Sequence, residues 1–178
     1  MYYLCAPTSA HQLKIYAENI RNIFNCKSLN FPIIDVLEIM QNNENFLGFE
    51  YQVISDNDDL FSKDELAKFD FNSNVLYIRE SQYNAACDGE PRSRFTLTHE
   101  LSHFFLMVVT GRHPKECDEK PPVYKDPEWQ ANALAGYILI PPKLTSSLGV
   151  EEIERECGVS PECATYAVLK RTRENHKN

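Results

Sequence analysis

Apolar positions recur near helical spacing at the start of the chain. Leu13, Tyr16, Ile20 and Phe24 make one face, so the pattern predicts a helix from a Thr8 or Ser9 cap to about Asn25. A second helix is predicted from Pro32 to about Gln41, with Ile33, Val36, Leu37 and Met40 turned inward. The period then changes. "LGFEYQVIS", Leu47 to Ser55, alternates as a strand does, and Asn57 to Asp59 reads as loop. Ala67–Phe71 and Val75–Arg79, joined by Asn-Ser-Asn, predict a hairpin. The polar run Ser81 to Ser93 reads as loop. A long apolar helix follows from about Ser93 to Val109, ended by Gly111 and Pro114. Residues 113–127, rich in proline and charge, form a further predicted loop. Asp126 and Pro127 then suit the cap and first turn of a helix to about Leu139, which Pro141 and Pro142 stop. Two more helices, Val150 to Cys157 and Ser160 to Arg173, meet at Gly158. Helices, a small sheet, then helices make an α+β chain with a small antiparallel or mixed sheet.

The organisation expected is a single domain over 1–178, with N-terminal helices at 1–45, the sheet and central helices at 46–142, and a C-terminal helical hairpin at 143–178. With 178 residues the chain is long enough for a core that needs no staple. The net charge of -8 argues against a phosphate-binding surface over the whole molecule. "MYYLCAPTSA" has neither a basic start nor a long apolar core, so the expected location is cytoplasmic, with no membrane partner. None of the six cysteines forms a Cys-x-x-Cys pair, and reduced thiols are the expectation, Cys157 and Cys163 included.

The chemistry concentrates in "HELSH". His99 and His103 lie one helical turn apart on one face, where both imidazoles can address one ion. Glu100 projects to the side, placed to take a proton from a water rather than to bind. The surrounding Leu101, Phe104, Phe105 and Leu106 imply a deep helix, in which unpaired histidines would be costly. A zinc ion satisfies them. A catalytic zinc needs a third protein ligand. Val109 stands where a metzincin has its third histidine, so that subclass is excluded. His113, Cys117, Asp118 and Glu128 are the candidates. Glu128 is favoured because it opens a helix whose small Ala131 and Ala135 allow close packing. Asn132, one turn on, is placed to hydrogen-bond a ligand histidine. Tyr83, Tyr124, Tyr137 and His113 are candidate donors to an oxyanion. Val75–Arg79 is expected at a sheet edge over the cleft, where an extended substrate can add as a strand.

"RFTLTHELSHFFL" followed by "EWQANALAGYILIP" resembles the ImmA/IrrE-type metallopeptidases, which pair His-Glu-x-x-His with a later Glu-x-x-Ala-Asn. The likeness runs from about Val75 to Pro142. It implies a zincin-like fold, zinc held by His99, His103 and Glu128, and Glu100 as general base. It also implies a protein substrate, a DNA-binding repressor, with a non-cleaving antirepressor as the alternative. Ser102 and Ile140 depart from the family's usual glycine and methionine. The C-terminal hairpin resembles a helix-turn-helix. Its second helix, however, opens with Ser160, Pro161, Glu162 and Cys163, and its first carries Glu151, Glu152, Glu154 and Glu156. Those charges argue against direct nucleic-acid binding. The acidic groups, with Asp56 to Asp59, suit a basic partner or are solvated faces.

Overall fold

A computed structural model describes residues 2–46 and 48–175. The elements in order are β1 (Tyr2–Leu4), α1 (Ala10–Ile23), α2 (Ile33–Gln41), β2 (Glu50–Ile54), β3 (Ala67–Asp70), β4 (Val75–Arg79), α3 (Glu80–Cys87), α4 (Pro91–Thr110), β5 (Lys115–Cys117), α5 (Pro127–Leu139), α6 (Val150–Cys157) and α7 (Pro161–Asn175). Ser9 caps α1 in a full capping box with Gln12. All four inward positions expected of α2 are buried. Leu47, expected to open the first strand, lies outside the described residues. The fold is α+β, with a two-stranded and a three-stranded sheet, compatible with a zincin-like architecture. No described helix is long and apolar enough to cross a membrane. All six cysteines are free thiols.

Three features differ from the sequence reading. The stretch 81–93, expected as loop, is mostly helix: α3, then the first turn of α4. The Asp56 carboxylate caps α3 from a distance, accepting from the Ser81 N–H at 3.1 Å and from the Ser81 hydroxyl at 2.9 Å. The Glu90 side chain caps α4, accepting from the Arg92 and Ser93 N–H groups, with Pro91 in the first turn. Finally, the N-terminal residues add a short antiparallel pair, β1 with β5.

The strand order of the larger sheet is β2-β4-β3. The hairpin expected over 67–79 forms, β3 pairing antiparallel with β4. β2 pairs parallel with β4 from the other side. Val75–Arg79, read as a sheet edge over the cleft, is therefore the central strand. Its burial fits the place: Leu76 and Ile78 on one face are fully buried, and Val75 on the other face is buried too. The edge on the side of α4 is β3.

The core joins α1, α2, the sheet, α4 and α5 through Leu13, Leu37, Phe49, Leu76, Leu97, Leu101, Phe104 and Leu134. Phe104 of α4 meets Phe49 edge-on at 5.1 Å and Phe69 of β3 at 5.7 Å. Ile153, Cys157 and Ala164 carry α6 and α7 into the same cluster, so the C-terminal hairpin packs on the body of the protein.

Two buried arginines bind the layers by donating to carbonyls. Arg21 of α1 donates to the carbonyls of Ile138 and Ser28. Arg94 of α4 donates to the carbonyls of Cys157, Gly158 and Phe31 and to the Asn30 side chain. Gly158 turns the chain at φ +62°, and a Cβ there would collide with the Arg94 guanidinium. Arg94 thus fixes the N-terminal half of α4 against the start of α2 and the α6–α7 turn. Replacing it leaves several buried acceptors unpaired. Arg94→Met is expected to lower stability by about 3 kcal/mol or more, read as a lower urea midpoint at unchanged m-value. A loss below about 1 kcal/mol would mean the carbonyls find other donors.

Candidate metal centre

α4 and α5 pack against each other, and their facing residues set the distance. Leu97 and Leu101 of α4 and Ala131, Leu134 and Ala135 of α5 are fully buried. The alanines let the two backbones come close. The polar residues buried on α4 beside the histidines are satisfied within the helix. Thr98 donates to the Arg94 carbonyl at 2.8 Å, and Ser102 donates to the Thr98 carbonyl at 2.7 Å. Ser102, at a position where glycine is common in the related motif, is fully buried and makes no demand on its surroundings.

The histidines have no such local partner and converge instead. His99 Nε2 and His103 Nε2 stand 3.2 Å apart. The Glu128 carboxylate reaches across from the first turn of α5, one oxygen 3.3 Å from His99 Nε2 and the other 3.4 Å from His103 Nε2. Among the described residues, these three make the one His/Cys/Asp/Glu group with ligand atoms close enough to share an ion. Asn132, one turn after Glu128, accepts from His99 Nδ1 at 3.0 Å. That bond places the ring proton on Nδ1 and leaves the Nε2 lone pair facing the other donors.

The donor set fits a divalent cation. Donors held about 2.0–2.1 Å from a tetrahedral ion stand about 3.3–3.4 Å apart. The His99–His103 separation is close to that edge length, each carboxylate oxygen stands at a similar distance from one imidazole, and one ligand atom from each of the three residues lies within 4.8 Å of the others. Two imidazole nitrogens and one carboxylate also match the ligand chemistry of zinc and of several other divalent metals. The histidine side chains are largely buried, whereas that of Glu128 is 66% exposed, so the cluster opens to solvent on the α5 side.

Glu100 stands beside this group without belonging to it. One carboxylate oxygen accepts from the Phe69 N–H of β3 at 3.0 Å. The other lies 4.0 Å from His99 Nε2. The edge strand thus fixes the rotamer of the carboxylate. Burial pushes the Glu100 carboxyl above its ordinary pKa, against the pull of His103 and His99. Glu128 moves the other way, held well below the usual carboxylate range by the imidazoles of His103 and His99 beside it. For His99, burial pulls the imidazole down, but the adjacent carboxylates of Glu128 and Glu100 outweigh it, and the net shift is upward. Two carboxylates with opposite shifts suit different tasks, one that holds charge and one that exchanges a proton.

The other residues singled out in the sequence lie at varying remove. His113 packs edge-on against Phe71 at 6.2 Å, and Phe71 packs on His103 at 5.8 Å, so His113 is one ring away from the donors. Cys117 and Asp118 are outside the three-donor group. The Cys117 thiol instead donates to the Glu119 carbonyl. Tyr83 stacks on Tyr51 at 5.9 Å. Tyr124 is half exposed, and its carbonyl ties down the Thr8 N–H and the Gln130 side chain. Tyr137 is buried under Lys14 and Lys170. Sequence reasoning missed the role of β3: nothing in "AKFD" marks the Phe69 N–H as the group that holds Glu100.

Comparison with known proteins agrees with this geometry. A peptidase family model described as IrrE N-terminal-like domain matches residues 60–168. No curated protein matches the chain at a significant score. Among solved structures, a Mycobacterium tuberculosis transcriptional regulator is similar at a TM-score of 0.54 and 16% identity, over 86% of this chain and 45% of that one. The chain thus spans less than half of that protein, and at such identity the likeness shows the fold alone. The family match takes in more than half of the residues, from ahead of the edge strand into the last helix, and the chain belongs to the family of IrrE N-terminal-like peptidase domains.

Proposed function

We propose that this chain is a zinc-dependent endopeptidase that cuts a regulatory protein, a DNA-binding repressor being the substrate best suited to its family and to its acidic surface. The observation that carries the reading is the convergence of two imidazole nitrogens 3.2 Å apart with the Glu128 carboxylate, each of whose oxygens lies 3.3 or 3.4 Å from one of them, and a second, separately anchored carboxylate beside them. His99, His103 and Glu128 would hold the ion, and Asn132 would orient His99. When bound, zinc supplies a Lewis acid and lowers the pKa of water to about 7. The chain supplies the rest. Glu100, with one oxygen fixed by the Phe69 N–H, takes the proton of the attacking water on its other oxygen. It then returns that proton to the leaving amine. Its raised pKa suits both transfers.

The substrate site follows from the sheet order. β3 is an edge strand, and its Phe69 N–H already points to Glu100. An extended segment of a partner can add to this edge and bring its peptide bonds past the carboxylate. Such a segment would be an unstructured loop or linker rather than a folded element. The similar solved structure is of a transcriptional regulator, which agrees with a place in transcriptional control.

Three outcomes follow. Metal analysis after zinc loading is expected to give one ion per chain, and Asn132→Ala should weaken zinc about ten- to a hundredfold, measured by chelator competition. Glu100→Gln should keep the metal and lower cleavage of a repressor encoded beside this protein by about 10² to 10⁴ in kcat. Cleavage at the wild-type rate in that variant would remove Glu100 as the base. A stable complex with the repressor that neither protein cuts would instead make the chain a sequestering antirepressor.

A further inference from the structure

Away from the metal donors, α1, α5, α6 and α7 enclose a cleft of about 580 Å³. Phe95, Trp129, Tyr137, Ile153 and Tyr166 supply much of its wall, which is mainly apolar. Three features of this cleft are unexplained by the packing of the protein alone.

The first is Gly136, inside α5. A glycine in a helix interior costs about 0.5–1 kcal/mol relative to alanine. Close approach of a neighbour is the usual reason to accept that cost. Here a Cβ would meet nothing within 4 Å, because the position opens into the cleft. The space is kept clear of side chain although no residue uses it. The second is Tyr137, which is 8% exposed, and its hydroxyl is buried with no hydrogen-bond partner among the described residues. Such a group costs about 1–3 kcal/mol. The third is charge. Lys14 and Lys170 both sit over the Tyr137 ring, at 5.6 and 4.6 Å. Lys14 is neutralised by Glu174 at 2.6 Å. Arg171 is spent on the carbonyls of Thr145 and Leu148. Lys170 has only the rings of Tyr137 and Tyr166, with no carboxylate paired to it among the described residues. Glu162, the remaining charged lining residue, lies on the first turn of α7, two helical turns from Lys170.

An apolar cleft, a vacant place in front of a helix backbone, an orphan hydroxyl donor and an unpaired ammonium describe one kind of ligand. We propose that this cleft binds a small amphipathic carboxylate, its apolar body lying along Gly136 and its carboxylate accepting from Tyr137 and paired with Lys170. The cleft also reaches Asn132, the residue that accepts from His99 Nδ1, so the ligand occupies the side of the metal centre away from the donors' lone pairs. The inference does not depend on hydrolysis.

The chain has a single tryptophan, Trp129, in the cleft wall, which gives a direct readout. The whole protein is titrated with dodecanoate below its micellar concentration, with dodecan-1-ol as the uncharged probe, following Trp129 emission. Saturable change with dodecanoate is expected, at least tenfold weaker with the alcohol. Lys170→Met and Tyr137→Phe should each weaken dodecanoate about tenfold. Gly136→Leu fills the vacant space, and is expected to abolish binding while melting no lower than wild type, so loss of binding cannot be loss of fold. Absence of a saturable signal, equal affinity for acid and alcohol, or unchanged binding in Gly136→Leu would each overturn the proposal.

Discussion

The structure depends on bringing the donor groups of three residues on two helices together, with His99 Nε2 and His103 Nε2 3.2 Å apart and each Glu128 oxygen 3.3 or 3.4 Å from one of them. Nothing in the chain compensates that crowding by itself. Two imidazole nitrogens face each other at 3.2 Å, and a carboxylate facing them adds charge to a half-buried place. The arrangement holds together because α4 and α5 are locked by apolar packing that has no alternative. Leu97, Leu101, Ala131, Leu134 and Ala135 are all fully buried. The neighbouring polar residues Thr98 and Ser102 take their hydrogen bonds from their own helix and so do not compete for the histidines. The three residues are thereby left together as a group that could hold a cation.

The rest of the fold positions this pair of helices. Arg94, one helical turn before Thr98, ties the N-terminal half of α4 to the α2 and α6–α7 segments through buried carbonyls. Arg21 does the same for the end of α5 through Ile138. The three-stranded sheet packs on α4 through Phe69 and Phe104, and the same strand passes its free N–H to Glu100. Stability and chemistry therefore meet in one strand. The packing face of β3 secures the helix, and its edge sets the carboxylate that the helix carries.

Much of this was readable in the sequence, where local rules govern. The capped starts at Ser9 and Asp126, the stop at Gly111 and the inward faces of α1 and α2 follow from capping chemistry and helical period. The spacing of His99 and His103 follows from the same period. What escaped was set by contacts between distant residues. α3 looked like loop because its cap is supplied by Asp56, which no local pattern reveals. The start of α4 was placed late because Glu90 before Pro91 is a less usual cap than Asp126 before Pro127. Val75–Arg79 looked like an edge because its second partner, Glu50–Ile54, joins in parallel across a long connection. Gly136 follows Ala131 and Ala135 in α5 and carries no signal of its own in the sequence. Only its surroundings show that those two close a helix interface while the glycine faces open space.

X-ray absorption at the zinc edge, on the zinc-loaded wild-type protein, tests the central claim most directly because it counts the donors by chemical type. The account predicts four light-atom neighbours at about 2.0–2.1 Å, with the multiple-scattering signature of two imidazoles and the remaining distance shell filled by one carboxylate oxygen and one solvent oxygen. A sulfur shell near about 2.3 Å, or a spectrum with fewer than two imidazoles, would contradict it.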